Sequence, residues 1–156
     1  MVIYSTGLIS KLLGKNGTDA GADGLRGLMN AGVIRVYSGA QPLSADSAVT
    51  GTLLGSVTKD GAAFTEGSPT NGLTLAAPSG RTVGKSTDVW KFTGAAAGTM
   101  GWARFQANAT DDDSLSTALV RIDMSVGITS GDMRVTSVTS AIGSSATIDT
   151  LTITVA

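Results

Sequence analysis

Two stretches toward the C-terminal end alternate apolar and polar residues one for one, and no other feature constrains the fold as strongly. In ALVRIDMSV, Val120, Ile122, Met124 and Val126 face one way while Leu119, Arg121, Asp123 and Ser125 face the other. In IDTLTITV, Leu151, Ile153 and Val155 oppose Thr150, Thr152 and Thr154. A period of two belongs to extended backbone, whose successive side chains leave opposite faces. Such alternation predicts an antiparallel sheet with one face on the core and one in water. On the wet face Asp123 is expected to sit across from a basic residue of the next strand. Threonine is β-branched, so a Thr-rich outer face favours extended backbone without adding apolar surface.

The same period runs back to residue 33. Val33 to Tyr37 reads as a strand, as do the stretches 52–57, 72–77, 88–92, 101–109, 118–126, 132–138 and 146–155, about eight in all. Lys59-Asp60-Gly61 reads as a turn. No long helix lies between strands to make a parallel crossover, so the expected fold is mainly β, an antiparallel, jelly-roll-like β-sandwich. Before residue 33 the spacing is helical. Leu8, Ile9, Leu12 and Leu13 predict a short helix with Ser5 or Thr6 as N-cap and Gly14 as stop, and Leu25, Leu28 and Met29 a second, with Asp23 as cap and Gly32 as terminator. Pieces this short are marginal alone in water and must dock on something, either their own sheet or a neighbouring subunit. The chain therefore divides into an N-terminal helical arm, residues 1–32, and a β-sandwich domain, residues 33–156.

Chemistry is conspicuously missing. Histidine and cysteine are absent, which removes the neutral-pH acid/base, the thiol nucleophile and the usual zinc ligands. Half of the chain, 79 of 156 residues, is Gly, Thr, Ala or Ser, and aromatics make up 4%. Trp90, Phe92, Trp102, Phe105, Phe64 and Tyr37 are expected to fill the core, leaving few for the exposed platforms that glycans or single-stranded nucleic acids require. Trp102 shares a strand face with Arg104 and Gln106, where it is either an exposed anchor for a partner or a cover for a sheet edge. There is no block of like charge for nucleic acid and no apolar run of about 18 residues for a membrane. The first residues, MVIYSTGLISKLLG, lack the basic cluster and apolar core of a secretory signal, so synthesis in the cytoplasm is expected.

Two motifs resemble sites. Gly84-Lys85-Ser86 falls one residue short of a phosphate-binding loop, since the required glycine position is Ser79 and the following TDVWKFTG is strand-like; it reads as a Gly-rich surface loop. Asp111-Asp112-Asp113 is the sole acidic cluster. Asp111 and Asp113 are the candidate ligands for a hard cation such as calcium, but the alternating carboxylates, turn glycine and closing glutamate of a calcium loop are missing; the competing reading is a solvated turn. No paired carboxylates or Ser-Lys pair stand out, so no enzyme, cofactor or small-molecule substrate is expected.

The phrases YSTGLISKLLG, GVIRVYSGAQPLSADSAVTGTLLGSVTKDG, GTMGWARFQANATDD, RIDMSVGITSGDMRV and ATIDTLTITVA together span most of the chain. In wording and order the chain resembles the small Gly/Ala/Thr-rich virion structural proteins of tailed bacteriophages, most of all capsid decoration (cement) proteins. The resemblance implies a homo-oligomer, dimer or trimer, on the outer surface of the phage head, with the major capsid protein as partner and no role for nucleic acid or membrane. It also raises the arm as a contact. Tyr4, Leu8, Leu12 and Leu13, the loop Gly39 to Asp46 with Gln41 and Pro42, and Trp102 are the residues expected at such a contact. Tail, neck or head-fibre component, and receptor- or glycan-binding module, are the other roles weighed.

Overall fold

A computed structural model describes residues 1–13 and 24–154. Its elements in chain order are β1 (Ile3–Tyr4), α1 (Thr6–Leu12), α2 (Gly24–Leu28), β2 (Val33–Ser38), β3 (Leu53–Lys59), β4 (Thr82–Gly84), β5 (Trp90–Gly94), β6 (Gly98–Gln106), β7 (Arg121–Gly127), β8 (Met133–Val135), β9 (Thr139–Ser140) and β10 (Ser145–Thr154). The expected stop Gly14, the cap Asp23 and Val155 lie outside the described residues.

The chain is mainly β, but the strands do not form two facing sheets. Seven of them, in the order β7-β8-β10-β5-β3-β2-β6, close on one another because β6 also pairs with β7, and the result is a barrel where a jelly-roll-like sandwich was expected. All strand pairs are antiparallel except β7 with β8. Closure demands tilted, strongly coiled strands, and register shifts next to Tyr37 and between Ile148 and Thr150 supply the bends. The ten-residue β10 serves three neighbours in turn, β5, β8 and β4. Ile34, Val36, Trp90, Phe92, Ala103, Phe105, Ile122, Met124 and Ile153 belong to one buried apolar cluster. Of the six expected fillers, Phe64 alone is only half-buried. The stretch 72–77 forms isolated bridges rather than a strand, Gly32 with Leu73 and Leu75 with Lys85, although both leucines are buried. The turn at Asp60-Gly61 has φ of 57° and 73°, the left-handed pair that a tight turn uses.

The described part of the arm is built into the barrel. Ile3 and Tyr4 add to β7 opposite Asp123 and Ile122. Ser5 caps α1 by accepting from the Leu8 amide, and the same hydroxyl donates to the Leu119 carbonyl and accepts from the Arg121 amide. Gly7 lies so close to the carbonyls of Ala118 and Leu119 that a Cβ there would collide with them. Leu8 then reaches the core, with Met29 beyond α2 also fully buried. Of the α1 stripe, Leu8 is buried and Leu12 packs against the core, while Ile9 and Leu13 are exposed.

Candidate functional site

The polar side of β7, with Arg121 and Asp123, reads as a wet face in the sequence, and the structure corrects this. Segments 39–52 and 107–120 fold over that face, so Tyr37, Trp102, Arg104, Arg121 and Asp123 are all buried. Arg104 is the basic partner of Asp123: they are register neighbours, and the guanidinium donates to both carboxylate oxygens at 2.7 and 2.9 Å. The same Nη2 that meets Asp123 also donates to the Ser47 carbonyl at 3.0 Å, tying down the first covering segment. Trp102 donates to the Thr50 carbonyl at 3.3 Å and stacks on Tyr37 with centroids 4.7 Å apart, while the Arg104 guanidinium lies 5.4 Å from the Trp102 ring centre.

The second covering segment is held by the acidic triplet. Arg121 engages Asp111 through both carboxylate oxygens and donates to the Ser114 carbonyl at 2.8 Å. Asp113 accepts from the Tyr37 hydroxyl at 2.7 Å and from Gln106 Nε2 at 2.6 Å, and its main-chain carbonyl accepts from the Val49 amide at 3.0 Å. Asp112 turns outward and binds Ser114. The candidate cation ligands Asp111 and Asp113 are thus engaged by Arg121 and by Tyr37 and Gln106 respectively. Among the described residues no group of three or more His, Cys, Asp or Glu is placed to hold a metal. Arg104 Nη1 and Gln106 Oε1 are buried in this layer without a hydrogen-bond partner.

The electrostatics follow from burial. Burial and then the hydrogen bond to Asp113 push the Tyr37 phenol far above its ordinary value. Burial opposes the charge on Arg104, but the Asp123 carboxylate outweighs it and holds the guanidinium more firmly protonated than usual. Burial raises the Asp123 carboxyl, against the pull of Arg104. The arrangement fixes two covering segments to a barrel wall.

The expected contact residues divide. Leu8, Pro42 and Trp102 are buried and give a partner no surface; Trp102 is thus no exposed anchor. Tyr4 is half-buried and donates to the Thr154 carbonyl at 2.9 Å, and Leu12 packs against the core. Leu13 stands 82% exposed. The structure does bring the arm and the loop 39–46 together: Gln41 Nε2 donates to the Met1 carbonyl at 2.9 Å, and the amide and hydroxyl of Thr6 both donate to the Asp46 carboxylate. Lys85, of the phosphate-loop-like motif, bonds the carbonyls of Ser86 and Asp88 in its own loop. Leu43, 97% exposed, lies in the expected contact loop 39–46, whereas sequence reasoning did not single out the exposed apolar residues Val89, Leu115, Ile128 and Ile142. For the last three the available signal was a lone apolar residue set among Gly, Ser, Thr and Asp.

No protein-family model, curated protein or solved structure matches the chain.

Proposed function

We propose that this chain is a virion structural protein of tailed bacteriophages, acting as a capsid decoration or cement protein on the outer face of the head. Its partners in this reading are the major capsid protein and further copies of itself. The observation that carries the proposal is the likeness of the phrases GVIRVYSGAQPLSADSAVTGTLLGSVTKDG and RIDMSVGITSGDMRV, with the arm YSTGLISKLLG, to that group. The fold is compatible with the role. A cement protein needs a rigid body that survives dilution, and here the strands close into a barrel that leaves few open edges. Both tryptophans are wholly buried, which weighs against the glycan-binding alternative. Each copy that binds the assembled lattice and not its separated parts shifts the balance toward the intact shell, and many copies multiply the effect.

The test compares heads with and without the protein under heating. Complete heads should hold their contents to a higher temperature, and adding purified protein back should restore the difference. Equal survival of both would end the cement role. Protein found only along the tail axis would favour the tail, neck or head-fibre role instead.

A further inference from the structure

We infer that a single water molecule is a fixed part of the buried polar layer, held between Arg104 Nη1, Gln106 Oε1 and Asp113 Oδ1, where it joins the barrel wall to its covering segments. Nothing in this depends on the virion reading.

The fold brings these three atoms together. Arg104 and Gln106 stand two residues apart on β6, so their side chains leave the same face of the sheet, and both are buried. Arg104 uses one edge of its guanidinium, Nε and Nη2, on Asp123 and Ser47, which leaves Nη1 on the other edge. Gln106 donates through Nε2 to Asp113 Oδ1 at 2.6 Å. That bond fixes the amide, because the reverse orientation would set a carbonyl oxygen against a carboxylate, and Oε1 is left over as an acceptor. The Tyr37 hydroxyl takes the other carboxylate oxygen, Oδ2. Arg104 Nη1 lies 4.0 Å from Asp113 Oδ1, too far for a direct hydrogen bond and a separation that a bridging water spans.

Hydrogen-bond character decides what fits there. Nη1 and Oε1 are both buried without a partner, one a donor and the other an acceptor, and leaving either unpaired is costly. An anion would face the oxygens Oε1 and Oδ1, and a cation would face the guanidinium. The formal charges already meet their opposites: Arg104 with Asp123, Arg121 with Asp111, and Arg35 with Glu66 and Asp113. What fits is a small neutral group that accepts from Nη1 and donates to Oε1 and Oδ1. Water does all of this, with the three partners typical of an internal water. Trp90 supplies the contrast. Its Nε1 is also buried and unpartnered, but Trp90 belongs to the apolar cluster, and a water needs at least two polar partners to stay. The Asp113 carbonyl holds the Val49 amide and Arg104 holds Ser47, so the water ties β6 to both covering segments at once.

The test is a high-resolution crystal structure of the wild-type protein beside that of Gln106→Met, with the long-lived internal waters of both counted in solution by magnetic relaxation dispersion. Wild type should show a density peak within hydrogen-bond distance, about 2.7–3.2 Å, of all three atoms. Gln106→Met keeps an unbranched side chain of similar length but removes the acceptor. It should lose that peak, and one long-lived water should drop from the count. A wild-type structure in which Nη1 bonds Oε1 or Oδ1 directly, with no density between them, would overturn the inference. So would an ion at the site, or a peak that Gln106→Met leaves in place. If the variant does not fold, the wild-type density decides alone.

Discussion

Arg104 and Asp123 face each other across β6 and β7, both wholly buried, and are joined by two hydrogen bonds. Around that pair the barrel wall acquires a second layer, because the same guanidinium holds Ser47 and the neighbouring Arg121 holds Ser114. Buried pairs of this kind cost desolvation, and their usual return is a defined geometry.

Removing one partner should therefore cost more than removing both. Asp123→Ala leaves a buried guanidinium unpaired and is expected to lower stability by about 3–5 kcal/mol. The double variant R104M/D123L should recover much of that loss. Urea denaturation of the three proteins measures the difference, and equal destabilisation by the single and double changes would contradict the buried pairing.

Tyr37 makes the fold sensitive to alkali. Its folded pKa is raised, so the neutral phenol is the form that the structure stabilises. Unfolded phenols titrate near about 10. The contribution of Tyr37 is then complete below that pH and falls away as pH rises above it. Wild type should lose stability more steeply than Tyr37→Phe between neutral pH and strongly alkaline pH, as followed by thermal melting. Parallel profiles would show that the phenol is not held as described.

Ser5 and Gly7 should prove more costly to change than their size suggests. Ser5→Ala removes the cap of α1 and strands the buried Arg121 amide, with an expected loss of about 1–3 kcal/mol. Gly7→Ala forces the helix off the carbonyls of Ala118 and Leu119, for a loss of the order of 1–3 kcal/mol. Hydrogen exchange should show the loosening first at β1, α1 and the start of β7. Protection unchanged there would contradict a docked arm.

Asp88 contributes in the opposite pH range. The hydrogen bond from Thr74 is the main cause of its lowered carboxyl pKa; burial opposes it and Lys59 assists. Because the folded value lies below the unfolded one, this stabilisation is present above the ordinary carboxylate range and is lost as pH falls through the folded value. Thr74→Val should move the Asp88 titration, read by carboxyl NMR, back up toward an ordinary aspartate. No movement would rule out the hydroxyl as the cause.

Alternation located β7 and β10 well, and it named Asp123 as the partner of a basic residue. It gave the wrong environment for that pair, because polar residues at every second position normally signal water. Here they signal a second layer, made by segments 39–52 and 107–120, whose ends at 52, 107–109 and 118–120 read as strand. Barrel closure depends on β6 meeting β7 and β10 meeting β8, pairings that leave no local mark on the chain. The contact residues suffered for the same reason: Leu8 and Trp102 read as available until their neighbours across the fold were known. Leu43 was read only as part of the loop 39–46, and Ile142 was not singled out, because the exposure of a side chain is set by the surrounding fold.

The most direct measurement is the number of copies per purified particle, by quantitative mass spectrometry against the major capsid protein. The cement role predicts on the order of hundreds, in fixed ratio to the lattice. A count of about six or twelve, or none in mature particles, would contradict it.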